Sequence, residues 1–158
     1  MITLQFVLGE GISAKAISWF SAGHFSHVDV IVPQGLLGAR PDSIGGAPPG
    51  VWIRPQYYDT WSKVVLMEIA ATKEQEEDFI DFLHDQLAKP YDMTAIWAFV
   101  INRDWREVDS WFCSELISAA LEHAGICSRM YDGVNKITPV SLAVVASAMG
   151  ALIRTVEG

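Results

Sequence analysis

A cysteine and a histidine stand in this 158-residue sequence where they could serve as a nucleophile and a base. Cys113 lies in WFCSEL, which has the pattern of the first turn of a helix, and His27 lies in SHVDV, at the start of a predicted strand. The N-terminus of a helix favours a thiolate through its dipole and its unpaired amides. A histidine on an adjacent strand can take the thiol proton and later give it to a leaving group. The pair predicts attack on a carbonyl carbon, with amides near Cys113 binding the oxyanion.

Each of these residues also has an ordinary structural interpretation. A free cysteine most often packs as a small buried hydrophobe, and an isolated histidine is more often structural than catalytic. The catalytic interpretation therefore requires that the side chains of Cys113 and His27 meet when the chain folds.

The elements that would bring the two residues together follow from apolar periodicity and turn residues. Strands are predicted over residues 1–8, 28–32, 36–40, 51–54 and 64–70. Helices are predicted over residues 13–20 and 92–101, from Thr72 with a capping box to Gln75, from near Ser110 to just before Gly125, and from Thr138 to Gly150. The Pro- and Gly-rich residues 41–50 predict an exposed loop. Strands first and last with helices between them indicate one α+β domain over residues 1–158.

Composition and charge exclude several classes of protein. The 19 acidic and 11 basic residues give a net charge of −8 without a basic run, which argues against a nucleic-acid partner because phosphate contacts need clustered Lys and Arg. No stretch reaches the roughly 18 apolar residues of a membrane-spanning helix. No signal-peptide pattern is visible. A cytoplasmic location is therefore expected, with release by lysis or in a phage particle as alternatives.

The remaining candidate residues are interpreted more simply. Two cysteines, Cys113 and Cys127, are too few for a disulfide framework and indicate a reducing compartment. Cys127 has no histidine motif nearby and is interpreted as a bystander thiol. Cys and His do not occur at short ligand spacings, so no metal and no other cofactor is expected. Glu115 should point away from Cys113 on the helix and make a structural hydrogen bond.

Several segments, in their order along the chain, resemble the circularly permuted branch of the NlpC-type cell-wall peptidase superfamily, in particular its YiiX-like members. The resemblance rests on SHVDV, on Gly50-Val51-Trp52, on Lys89-Pro90-Tyr91-Asp92, and on WFCSEL followed by Gly125. It implies a papain-like fold in which a helix carrying the nucleophile packs on an antiparallel sheet carrying the histidine. It also implies that Cys113 is the nucleophile and His27 the base. Tyr91 matches a tyrosine near the family's cleft, which makes it a substrate-binding candidate, with ordinary packing as the alternative.

The third catalytic residue is where this sequence departs from the family. Relatives usually carry a polar side chain on the second strand of the hairpin, and the matching position here is Gly38. Asp29 stands two residues after His27, on the same face of the strand and nearly opposite Gly38. One hypothesis is that the carboxylate has moved to the facing strand and orients His27. The other is that Asp29 is solvated and that water or backbone holds the imidazole.

The resemblance implies thiol-dependent hydrolysis of an amide bond, with a peptide from bacterial cell-wall material as substrate. Two alternatives stay open. Permuted relatives include enzymes that act on lipid amides or acyl esters, as hydrolases or acyltransferases. The absence of a side chain at Gly38 would also suit a binding module that keeps the fold and has lost turnover. The partner expected in all three cases is a small peptide or acyl compound, and no oligomeric state is predicted.

Overall fold

The computed structural model describes residues 1–8, 25–61, 63–92, 110–128 and 137–157. The strands in these ranges are β1 Ile2–Leu8, β2 His27–Val32, β3 Gly35–Arg40, β4 Gly50–Arg54, β5 Lys63–Ile69 and β6 Leu152–Glu157. The helices in the same ranges are α1 Lys73–Asp85, α2 Cys113–His123 and α3 Pro139–Ala148. The helix predicted over residues 13–20, and residues 93–101 of the one predicted over 92–101, lie outside the described residues.

The six strands form one antiparallel sheet in the order β4-β3-β2-β1-β5-β6. Neighbouring strands β1, β2 and β5 are rich in Val, Ile and Leu, which suits strands in the middle of a sheet. β2 lies between β1 and β3, and its first residue, His27, pairs with Val7. The predicted α+β class is confirmed, and the histidine is at one end of an interior strand.

The core lies between the sheet and the helices. α2 contacts β2, β3, α1 and α3, and it is buried on most sides, since every residue from Cys113 to Ser118 is buried. A helix that is buried nearly all round belongs to the centre of a core. The side chains around it that are fully buried include Phe6, Leu37, Phe79, Leu83, Leu116 and Leu121. Cys113 therefore stands on the central helix of the domain.

Local sequence signals fix the ends of the helices. Thr72 and Gln75 form the predicted capping box, with Thr72 Oγ1 accepting from the Gln75 amide at 3.2 Å and Gln75 Oε1 accepting from the Thr72 amide at 3.0 Å. Thr138 caps α3 in the same way through the amide of Ser141. Gly125 follows α2 with a φ of +62°, the left-handed conformation that glycine adopts without strain.

The start of α2 differs from the prediction. The helix was expected near Ser110, but residues 110–112 are extended and the first helical residue is Cys113. Backbone bonds explain the difference. The Trp111 amide donates to Pro90 O and its carbonyl accepts from the Asp92 amide, both at 3.1 Å. This pairing holds the chain out of the helix until Cys113.

The last strand and the loop of residues 41–50 were only partly predicted from the sequence. β6 was not assigned to particular residues, and it forms the edge of the sheet beside β5. The predicted loop over residues 41–50 is largely exposed, but it has its own short bridge between Ile44 and Ala47. Within the described ranges, no helix has both the length and the apolar character that crossing a bilayer requires.

Candidate active site

Cys113, His27 and Asp29 come together where the N-terminus of α2 meets the start of β2. Cys113 is fully buried, and the whole residues His27 and Asp29 are 7% and 1% exposed. Nε2 of His27 lies 2.9 Å from Oδ1 of Asp29. Among the described residues, neither of these two atoms has another hydrogen-bond partner. The thiol of Cys113 interacts with the same imidazole.

The surroundings of His27 favour the protonated imidazole. Burial alone would lower the pKa of His27. The charge and hydrogen bond of Asp29, together with the contact to Cys113, outweigh burial and raise the pKa of His27 to about 9. The protonated form of His27 is therefore favoured by contacts with the Asp29 carboxylate and the Cys113 sulfur. An imidazolium next to a cysteine is the usual means by which proteins stabilise a nucleophilic thiolate.

Asp29 is the charged side chain whose contact with His27 raises the pKa of the imidazole. Burial would raise the pKa of its carboxyl, but His27 first, and then Tyr58 and Arg40, lower it below the usual range. A carboxylate that accepts hydrogen bonds and faces cations stays ionised when buried. The hypothesis of a solvated Asp29 is wrong, since the side chain is almost fully buried.

Asp29 lies opposite Gly38 on the neighbouring strand, where the glycine leaves space for the carboxylate. The pairing of Val30 with Leu37, continued by one residue, sets Asp29 opposite Gly38. A Cβ atom on Gly38 would lie only 1.9 Å from Oδ1 of Asp29. The carboxylate therefore fills space that a side chain on β3 would need. This is the geometry expected if the carboxylate had moved from β3 to β2.

Tyr58 is a second hydrogen-bonding partner of Asp29, and no sequence pattern predicted it. Its hydroxyl donates to Oδ2 of Asp29 at 2.7 Å. Tyr58 lies after β4 in a turn, next to another tyrosine, Tyr57, whose side chain is 88% exposed. Nothing in the local pattern distinguishes the two tyrosines, because only the folded chain brings one of them to Asp29.

Two arginines surround Tyr58. Arg40 pairs with both carboxylate oxygens of Asp42, at 2.8 and 2.9 Å, and its guanidinium lies 5.3 Å from the centre of the Tyr58 ring. Arg54 is almost fully buried and donates to the backbone carbonyls of Gly38, Ile44, Pro48 and Gly50. Arg54 thus fastens the loop of residues 41–50 to the sheet beside the site.

The N-terminus of α2 supplies backbone amides next to the sulfur. The Leu116 amide bonds to the Phe112 carbonyl at 3.0 Å, which begins the hydrogen-bond ladder of the helix. The first turn of an α-helix directs backbone N–H groups away from the helix, because its own hydrogen-bond ladder begins one turn later. Glu115 has the structural role expected of it, because its carboxylate accepts from the Phe112 amide at 3.3 Å. The helix end can therefore stabilise negative charge at Cys113 or on a bound oxyanion.

Tyr91 lies beside the site but inside the core. It is 7% exposed, and its ring packs 5.8 Å from that of Phe112. Burial, and then the proximity of Cys113, raises the pKa of Tyr91. These contacts show a packing role, and substrate binding by Tyr91 stays a prediction. The neighbouring Lys89 pairs with Val51 through its carbonyl at 2.9 Å, so these short segments meet around Cys113.

The other cysteine is separate from this arrangement. Cys127 is free and partly buried, and burial followed by the charge of Glu122 raises the pKa of its thiol. Among the described residues, no group of three or more His, Cys, Asp or Glu side chains is arranged to hold a metal ion. The expectation that the protein needs no metal stays a prediction.

Comparison with known proteins bears on the fold. No family model matches the chain, and no curated protein matches it either. Among solved structures, the crystal structure of the metalloprotein yiiX from Escherichia coli O157:H7, a DUF1105 protein, superposes with a TM-score of 0.53. The match covers 99% of this chain and 87% of that chain at 19% sequence identity. The two chains share a fold. At this identity the likeness extends to the fold alone.

Proposed function

We propose that this protein is a cysteine hydrolase that cleaves an amide bond, with Cys113 as nucleophile and His27 as base. The observation that carries the proposal is the contact of one buried imidazole with both the Asp29 carboxylate and the Cys113 thiol. The fold shared with yiiX supports the earlier resemblance to the permuted NlpC-type, papain-like superfamily, and membership of that superfamily is part of the proposal.

The reaction follows from the charges at the site. His27 takes the proton of the Cys113 thiol as the sulfur attacks the carbonyl carbon, and the oxyanion that forms is stabilised by amides at the N-terminus of α2. The imidazolium of His27 gives that proton to the amide nitrogen, the carbon–nitrogen bond breaks, and an acyl-enzyme remains. Neutral His27 then takes a proton from water, whose oxygen attacks the thioester; the carbon–sulfur bond breaks, the acid is released, and His27 returns the proton to the sulfur. Asp29 holds the imidazole and stabilises its protonated form.

We propose peptides derived from bacterial cell-wall peptidoglycan as the substrate class, on the strength of the resemblance. The lipid amide and ester chemistry of permuted relatives is the alternative outcome of the same test. The non-catalytic binding module was suggested by Gly38, and the buried carboxylate of Asp29 removes that reason for it.

The proposed reaction gives no role to a metal. The structural neighbour yiiX is described as a metalloprotein; among the described residues of this chain, no group of three or more His, Cys, Asp or Glu side chains is placed to hold a metal ion. Elemental analysis of the purified protein, with activity measured before and after chelation, tests this part of the proposal. Loss of activity on chelation and its return with metal would contradict it.

The decisive experiment compares hydrolysis of muropeptides and of acyl lipids by the wild-type protein and by Cys113→Ala, His27→Ala and Cys127→Ala. We expect muropeptide cleavage that is abolished by the first two substitutions and retained by Cys127→Ala, because Cys127 lies outside the site. Cleavage of acyl lipids alone would show that lipid amides or esters, and not cell-wall peptides, are the substrate class. Cleavage that survives Cys113→Ala would overturn the mechanism.

A further inference from the structure

The Asp29 carboxylate makes two different contacts through its two oxygens. Oδ1 faces Nε2 of His27 at 2.9 Å, and Oδ2 accepts the Tyr58 hydroxyl at 2.7 Å. A carboxylate held by only one oxygen can rotate about its bond to Cβ. With both oxygens engaged, its plane and its distance from the imidazole are fixed.

The Tyr58 hydroxyl is itself held in a donating state. Nη1 of Arg40 donates to the phenol oxygen at 3.3 Å, which leaves the hydroxyl proton free to point at Asp29. Burial, and then the negative charge of Asp29, raises the pKa of Tyr58 well above its ordinary value. The raised pKa keeps the phenol protonated at neutral pH, so that its hydroxyl can donate to Asp29.

The ring of Tyr58 is fixed as firmly as its hydroxyl. It packs edge-on against Trp61 at 5.5 Å, and the Arg40 guanidinium lies near both rings, 5.3 Å from Tyr58 and 5.5 Å from Trp61. Arg40 is held in turn by Asp42 and by Asp59, the latter at 3.4 Å. Cation–π contacts of a partly buried arginine add to the rigidity of such a cluster.

We infer that Tyr58 is a positioning residue of the catalytic site, which acts on His27 by orienting the Asp29 carboxylate. The inference rests on the proposed function for its catalytic consequence. The structural basis for this inference is that the carboxylate of Asp29 stands on β2, two residues from His27. Such a carboxylate needs an external donor on its far oxygen, and Tyr58 supplies it. Arg54 also places positive charge near Asp29, but its guanidinium donates to backbone carbonyls of the described residues.

The test is Tyr58→Phe, which removes the hydroxyl and keeps the ring. The matched control is Tyr57→Phe, the same chemical change one residue away on a side chain that is 88% exposed. The first measurement is the NMR titration of the His27 imidazole, which needs no substrate. We expect the midpoint to fall by at least about half a pH unit in Tyr58→Phe, because a looser carboxylate stabilises the imidazolium less. Tyr57→Phe should titrate like the wild type.

The second measurement is steady-state kinetics on the substrate that the wild type cleaves. We expect kcat to fall about tenfold in Tyr58→Phe with KM little changed, the size expected for losing one hydrogen bond to a charged group. Thermal unfolding of both variants shows whether the fold is retained. An unchanged His27 midpoint in folded Tyr58→Phe would overturn the inference, whatever the activity.

The two measurements keep this inference separate from the proposed function. A shifted midpoint in a protein without Cys113-dependent hydrolysis would support the role of Tyr58 in orienting Asp29 and overturn the hydrolase assignment. An unchanged midpoint and kcat in a protein with Cys113-dependent hydrolysis would overturn the role of Tyr58 alone.

Discussion

The carboxylate of Asp29 and the missing side chain of Gly38 occupy the same space. A Cβ atom at residue 38 would come within 1.9 Å of Oδ1 of Asp29, so β2 can carry this carboxylate only while β3 carries glycine. The buried carboxylate is held in this position by His27 and Tyr58, and moving it would break both contacts.

Gly38→Ala should therefore abolish most of the proposed hydrolase activity by displacing Asp29. The added methyl group would overlap Oδ1, and the carboxylate would have to leave the imidazole. We expect kcat/KM to fall about a hundredfold, the range associated with losing a positioned proton-transfer group. The companion variant combines Asp29→Gly with Gly38→Asp, which moves the carboxylate to β3. It should recover part of the activity lost in Asp29→Gly, and full activity in Gly38→Ala would contradict the coupling.

Asp29→Ala should cut turnover while leaving the fold intact. Without the carboxylate, the buried imidazole loses both its orientation and its positive charge. We expect kcat to fall by a factor of about a hundred or more, with little change in the circular dichroism spectrum. Asp81→Ala, on an exposed residue of α1, is the matched control and should behave like the wild type. Wild-type turnover in Asp29→Ala would refute a catalytic role for this residue.

The pH dependence of kcat/KM should have a basic limb near pH 9. His27 must be protonated to give a proton to the leaving nitrogen, and its pKa is raised to about 9. Activity is therefore expected to fall as the pH rises through that value. In Asp29→Asn the negative charge that raises this pKa is gone, while burial still lowers it. The limb should then move by about one to three units towards lower pH, and a limb that does not move would show that another group titrates.

The rates at which the two thiols are alkylated should show whether thiolate formation or solvent exposure determines their reactivity. Cys113 is fully buried and Cys127 is only partly buried, so exposure alone predicts faster labelling of Cys127. An imidazolium partner predicts the reverse, because the thiolate is the reacting species. We expect iodoacetamide at neutral pH to label Cys113 first, as read by peptide mass spectrometry, and His27→Ala to abolish the preference. Faster labelling of Cys127 in the wild type would favour a module without turnover.

The sequence predicted those parts of the site that depend on local pattern. Cys113 at a helix start and His27 at a strand start follow from short-range signals, and Asp29 follows from the two-residue repeat of a strand. The capping residues Thr72 and Thr138 likewise act over three residues. These interactions involve neighbours in the chain, which is why their types and spacing are informative.

The remaining features depend on contacts between distant segments. Tyr58 reaches Asp29 across 29 positions of the chain, and its identical neighbour Tyr57 faces solvent. The delayed start of α2 depends on backbone pairing of Trp111 with residues 90 and 92. Neither could be read from one segment alone, because the partner is defined only when the sheet has assembled.

The proposed nucleophile, Cys113, is the first residue of a helix that has hardly any exposed surface. Because Cys113 belongs to the hydrophobic core, its sulfur is held more rigidly than a side chain on a surface loop would be. Shortening an apolar side chain deep in that helix, such as Leu116, would alter where the reacting atom sits as well as how firmly the domain holds together. A substitution that repacks the interior of this protein would therefore also change the geometry of the proposed active site.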